Sequence, residues 1–195
     1  MKLLSELKRV SNSLAAFPGH WALCGGVAAS IYRKKPRFTD DIDFILSDSP
    51  SLPAKEIASQ VIANLGYAEY LGFVPDLFND NEQVLGLCCA RTSTDKNFIG
   101  IDFLLPVQFW VNDAVKAAQG NLIDFGFAVL PTITPEHLIV AKCAAALSNP
   151  ERFQDLDDLK EITNSVSLNL EFINHSLQSY GIALTPELKK LVFKA

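Results

Sequence analysis

The sequence predicts a mixed α/β domain over residues 1–131 followed by a small helical domain over residues 132–195. Three observations predict it. Through the first third of the chain, short apolar runs of strand character alternate with segments of helical spacing. A β-rich middle then carries three candidate strands, set apart by the turn-forming stretches DLFNDNE and TSTDKN. From Thr134 onward the signals are helical. With 195 residues, 49% of them hydrophobic and 20% charged, the chain has enough apolar material to bury a core.

Each element has a local reason. MKLLSELKRVSNSLAAF has helical spacing but is broken by Glu6, Lys8 and Arg9, so it reads as an amphipathic helix rather than a signal peptide. Pro18-Gly19 stops it, and HWALCGG reads as a short strand ending in a diglycine turn. The helix VAASIYRKK follows, closed by Pro36, and RFTDDIDFIL turns from polar to strand. After the loop SDSPSLP, AKEIASQVIANLGY places Ile57, Val61, Ile62 and Leu65 at helical spacing. Strands are expected at 68–74, 84–91 and 98–105, the last two as a hairpin, then a helix at 111–118 and a strand at 125–130. Thr134-Pro135-Glu136 supplies an N-cap, a proline at the first helical position and an early acid. Helices are expected at 135–148, 151–164, 168–180 and 185–194.

The bulk numbers exclude a few classes. A formal net charge of -5 argues against sequence-blind coating of nucleic acid, although a local basic patch can still hold a phosphate-rich ligand. No run is long and apolar enough to span a bilayer. Cys24, Cys88, Cys89 and Cys143 lack zinc-ligand spacing and sit among apolar neighbours, as reduced core thiols of a cytoplasmic protein would. His20, His137 and His175 show no ligand spacing either, and Trp21 and Trp110 read as core.

The chemistry concentrates in RFTDDIDFIL. Residues two apart on a strand share a face, so Asp41 and Asp43 project together while Ile42 and Phe44 turn to the core. Two adjacent carboxylates repel, and a divalent cation removes the repulsion; Mg²⁺ in phosphoryl-transfer sites is held by one or two carboxylates plus phosphates and water. Upstream, Gly25-Gly26 opens a helix, where backbone amides can approach a phosphate closely. Downstream, FIGIDFLL sets Asp102 at opposite parity to Ile101 and Phe103, as a third acid on the ligand side. Arg33, Lys34, Lys35 and Arg37 form the densest basic run, which either receives a phosphate backbone or is solvated. In LIVAKCAAAL, Lys142 is the only charge on a helix apolar nearly all round. Its ammonium either bridges to Asp155 or Asp158, which share a face of the next helix, or meets a bound anion.

GG, a helix, DID entering a strand and a lone aspartate in a later strand resemble the polymerase-β-type nucleotidyltransferase superfamily, with the gap from Gly26 to Asp41 at or slightly beyond the long end of its signature. RFTDDIDF is similar to the R-x-[ST]-x-D-[IL]-D-[FL] form of the AbiEii-like branch, the nucleotidyltransferases of abortive-infection and type IV toxin-antitoxin systems. TPEHLIVAKCAAALSNPERFQDLDDL resembles that branch again at Pro135, Leu138, Lys142, Arg152, Asp155 and Asp158.

The resemblance implies a nucleotidyltransferase-fold mixed β-sheet flanked by helices, and an enzyme that moves an NMP from an NTP to a hydroxyl with release of pyrophosphate. It implies two Mg²⁺ ions on Asp41, Asp43 and Asp102, with Asp102 also able to take the acceptor's proton. Gly25, Gly26, Arg37, Thr39, Lys142 and Asp158 would surround the nucleotide, and Lys142 would act in catalysis. The implied acceptor is RNA, such as a tRNA 3′ end, and the implied partner is a cognate antitoxin. Two other outcomes stand beside it: transfer to a small hydroxylated molecule such as an aminoglycoside, and an inactive nucleotide- or protein-binding module of the same fold.

Overall fold

The computed structural model describes residues 2–75, 82–91 and 99–194, with Pro75 and Arg91 as backbone alone. The turns expected at 76–82 and 92–97 fall almost wholly outside those residues. In chain order the first elements are α1 (Lys2–Leu14), β1 (Trp21–Cys24), α2 (Gly25–Tyr32), β2 (Asp41–Leu46) and α3 (Ala54–Leu65). Then come β3 (Ala68–Pro75), β4 (Gln83–Arg91), β5 (Gly100–Leu104), α4 (Phe109–Ala118), β6 (Leu122–Asp124) and β7 (Val129–Pro131). The C-terminal helices are α5 (Pro135–Ser148), α6 (Phe153–Ser165), α7 (Leu170–Ser179) and α8 (Pro186–Phe193).

Strands β1 to β5 form one mixed sheet in the order β1-β2-β5-β4-β3. β2 and β5 run parallel at its centre, and the other neighbours pair antiparallel. Period-2 alternation sends Ile42, Phe44 and Leu46 of β2, with Ile101 and Phe103 of β5, to one face, where α1 and α3 cover them. Helix α1 buries Leu7, Val10, Ser11 and Leu14, the i, i+3, i+4, i+7 stripe of an amphipathic helix. Phe44 and Phe103 stack across the β2–β5 pair at 5.7 Å, and Trp21 meets Phe44 edge-on at 5.8 Å.

The other face is covered by α2, α4 and the C-terminal helices. Ala22, Ile45, Trp110, Val111, Leu138, Ile139, Leu159 and Leu177 all belong to one core there. Thr134 caps α5 as expected, its hydroxyl accepting from the His137 N–H, and Thr185 caps α8 in the same way through Leu188. Helix α2 takes in the diglycine expected as a turn and ends at Tyr32, short of the expected residues 33–35, and one further element differs from expectation. Residues 125–130 are not a strand but the turn and second arm of the β6–β7 hairpin. Gly126 takes φ +79° there and donates its N–H to Asp124 Oδ1, an Asx turn that an apolar-run reading overlooks.

Candidate active site

The parallel pairing of β2 with β5 sets Asp43 opposite Asp102 and Asp41 opposite Gly100. All three acids therefore emerge on the face away from α1 and α3, as strand parity requires. One carboxylate oxygen from each lies within 4.8 Å of the other two. The charge is concentrated enough to disturb ionisation: burial first, then Asp41 and Asp102, push Asp43 up to about 7 against the opposing pull of Lys142 and the Gly26 amide. An all-oxygen donor set whose members repel one another fits a hard divalent cation, which would relieve that repulsion.

The glycine pair is required by this packing. Gly25 has φ +62°, and a Cβ built on it would lie 1.7 Å from Asp43 Oδ2. A Cβ on Gly26 would lie 2.7 Å from Thr39 Oγ1 and 2.9 Å from Arg37 Nη2. The first turn of α2 is thus pressed against Asp43, Thr39 and Arg37, and the Gly26 N–H donates to Asp43 Oδ2 at 3.4 Å. Thr39 in turn donates from Oγ1 to Asp41 Oδ1 at 2.6 Å, fixing that carboxylate. Cys24, beneath them, has its thiol pushed well up by burial and by Asp43, which keeps it protonated.

Opposite the acids stands a cationic group built on α6. Asp158, 0% exposed, takes Arg37 through Nε at 2.9 Å and Nη2 at 3.0 Å, Arg33 through Nη1 at 2.6 Å and Lys142 at 2.9 Å. Lys142 also donates to Asp155 Oδ1 at 2.6 Å. Burial works against its ammonium, but Asp155 and Asp158 outweigh burial and hold it above its usual range. Arg152 Nε lies 3.1 Å from Asp155 Oδ2 as an ion pair, and Arg33 also reaches the exposed Asp157 at 2.7 Å.

Between the two groups runs a cleft of about 510 Å³. Gly25, Gly26, Arg37, Thr39, Asp41, Asp43, Asp102 and Lys142 line it together, and Asp158 alone of the expected site residues stands behind the lining. Its place is that of the anchor for Arg37 and Lys142. Asp40 lies at the exposed rim, and Arg37 pairs with Asp158. Lys142 bridges to both acids, the first of its two alternatives, and its side chain also lines the cleft; among the described residues those bridges take two of its three N–H donors. Leu105, Val107, Trp110, Leu138 and Ala141 form an apolar inner wall. What sequence reasoning missed is the burial of Arg33, whose run is open to either a phosphate backbone or solvent and whose side chain is only 5% exposed. Nothing local marks it, because its partners lie on α6.

The chain is a nucleotidyltransferase. Over residues 7–191 the chain matches the family model described as "Nucleotidyl transferase AbiEii toxin, Type IV TA system", and it is a member of that family. Membership implies a nucleotide substrate and a cognate antitoxin. No curated protein matches the chain. Among solved structures it is similar to an antigenic nucleotidyltransferase-like protein from Paracoccidioides brasiliensis, at 14% identity and TM-score 0.47, over 89% of this chain and 84% of that one. No helix among the described residues is long and apolar enough to cross a membrane.

Proposed function

We propose that the protein transfers an NMP from an NTP to the terminal hydroxyl of an RNA, such as a tRNA 3′ end, releasing pyrophosphate, within a toxin-antitoxin setting. The observation that carries this reading is the acidic triad, whose oxygens lie within 4.8 Å of one another in a cleft lined also by Lys142 and Arg37. Asp41, Asp43 and Asp102 would hold two Mg²⁺ ions, which would supply charge neutralisation at the triphosphate. Thr39 and Gly26 keep Asp41 and Asp43 oriented for that task.

The remaining steps fall to the chain itself. The Asp102 carboxylate takes the proton of the acceptor hydroxyl, whose oxygen then bonds to the α-phosphorus as the bond to pyrophosphate breaks. Lys142 presents its remaining N–H to the phosphates, and Arg37 adds positive charge at the same wall. The inner apolar wall excludes water from the base and sugar of the donor. We also take residues 1–131 as the nucleotidyltransferase domain and 132–195 as a helical domain that supplies Lys142 and the acids of α6.

The test is to incubate the protein and Mg²⁺ with each α-labelled NTP, offering total RNA in one arm and an aminoglycoside in another, beside Asp41→Ala and Asp43→Ala proteins. Label is expected on RNA and absent with either variant. Label persisting in both variants would refute the metal assignment, and label on the aminoglycoside alone would refute the RNA acceptor.

A further inference from the structure

Two phenylalanines lie bare, one in the lining of the cleft and one between two residues that line it. Phe38 is 87% exposed and Phe153 78%, the highest values for large hydrophobic side chains among the described residues, with Phe73 next at 58%. Each directly follows an arginine, in RFTD and RFQD. Each arginine lines the cleft and is held by an α6 acid, Arg37 by Asp158 and Arg152 by Asp155. Phe38 lines the cleft beside Thr39, and Phe153 stands on the first turn of α6 between Arg152 and Gln154, both of which line it.

The backbone at both positions is anchored while the ring is left in water. The Phe38 carbonyl accepts from Arg37 Nη1 at 3.1 Å, and the Phe153 N–H donates to the Glu151 carbonyl at 2.9 Å. An exposed ring that follows a cleft-lining arginine in the chain suits an unstacked nucleobase and its phosphate, since stacking needs only a π-face and the cation meets the backbone. An apolar protein surface would need a wider apolar patch, whereas these rings stand among Arg37, Asp40, Arg152 and Gln154. On the proposed reading the apolar wall takes the donor's base, which leaves the two rings for the acceptor.

We propose that Phe38 and Phe153 are stacking platforms for the unpaired bases at the 3′ end of the acceptor RNA, positioning its terminal hydroxyl over the acidic triad. This rests on the RNA reading of the acceptor. It requires a frayed or single-stranded 3′ end and disfavours a blunt duplex.

The experiment uses the full chain without NTP and a short RNA hairpin with a four-nucleotide 3′ overhang carrying 2-aminopurine near its end. Phe38→Leu and Phe153→Leu keep apolar bulk and remove the ring. Each is expected to weaken RNA binding about tenfold and to abolish the change in 2-aminopurine fluorescence, with NTP affinity unmoved, while Phe38→Trp retains binding. The proposal is overturned if the leucine variants bind the hairpin as tightly as wild type, if a blunt hairpin binds equally well, or if NTP affinity falls in parallel, which would assign Phe38 to the donor base. Labelling of RNA that is indifferent to both leucine variants sinks the platforms alone; labelling of a small acceptor alone sinks the RNA reading with them.

Discussion

Gly25 and Asp43 are packed so closely that a Cβ at position 25 would lie 1.7 Å from Asp43 Oδ2. The start of α2 and the centre of β2 are fitted to each other through a side chain that is absent. The diglycine serves the acidic triad directly, by letting the helix N-terminus close over it.

Gly25→Ala should therefore displace Asp43 and abolish nucleotidyl transfer. It also forces a residue with a side chain into φ +62°, at a cost of about 1–3 kcal/mol. Gly19→Ala is the control, since Gly19 has φ +83° with nothing within 4 Å of its Cβ position. Both variants should lose stability in urea denaturation, but Gly19→Ala should keep its transfer rate and its calorimetric affinity for Mn²⁺.

Removing the anion that gathers three cations should be costly. Asp158→Asn leaves Arg33, Arg37 and Lys142 with reduced compensation in a buried setting and should destabilise by about 3–5 kcal/mol. Asp157→Asn, at an exposed partner of Arg33, should cost at most about 1 kcal/mol. Burial opposes the Asp158 charge, but Arg37 and Lys142 outweigh it and hold the carboxyl below its ordinary range. Its contribution to stability is thus present above the ordinary carboxylate range and lost as pH falls through the depressed value. Urea midpoints followed from pH 5 down to pH 2 should show an acid-side loss of stability that is smaller in Asp158→Asn.

Asp43 acts in the opposite sense. With its folded-state value near 7 and an ordinary value of 3.8, the metal-free protein binds an extra proton between them. That contribution is complete below the ordinary value and disappears as pH rises through about 7. In EDTA, melting temperatures should fall as pH is raised across this window, and added Mg²⁺ should restore them more at pH 8 than at pH 6. Asp43→Asn should flatten both responses; an unchanged pH profile in that variant would refute the assignment.

Lys142 combines two roles that a double substitution separates. Lys142→Met leaves Asp155, among the described residues, with the Arg152 ion pair alone and should cost about 3–5 kcal/mol along with activity. Adding Asp155→Leu removes the orphaned acid and should recover much of the stability and none of the transfer. Recovery of activity in the double variant would show that Lys142 serves only the fold.

The pattern of the chain determined the faces of its elements. Alternation along DIDFIL and GIDFL told which acids leave the core, because side-chain direction on a strand follows from sequence position alone. Thr134-Pro135 announced its helix for an equally local reason. The short β6–β7 hairpin escaped because its turn depends on Asp124 and Gly126, polar chemistry set inside an apolar run.

Which residues meet across those faces was decided by the tertiary structure. Asp102 stands beside Asp43 because β5 pairs parallel with β2 in that register, and Arg33 is buried because α6 docks Asp157 and Asp158 against the end of α2. Sheet order and helix docking are set by the closure of two apolar cores over the whole chain, so no local window contains them. The sequence by itself supplied three acids, two glycines and a lysine; the fold placed them around one cleft and assigned Asp158 to hold the cations in place.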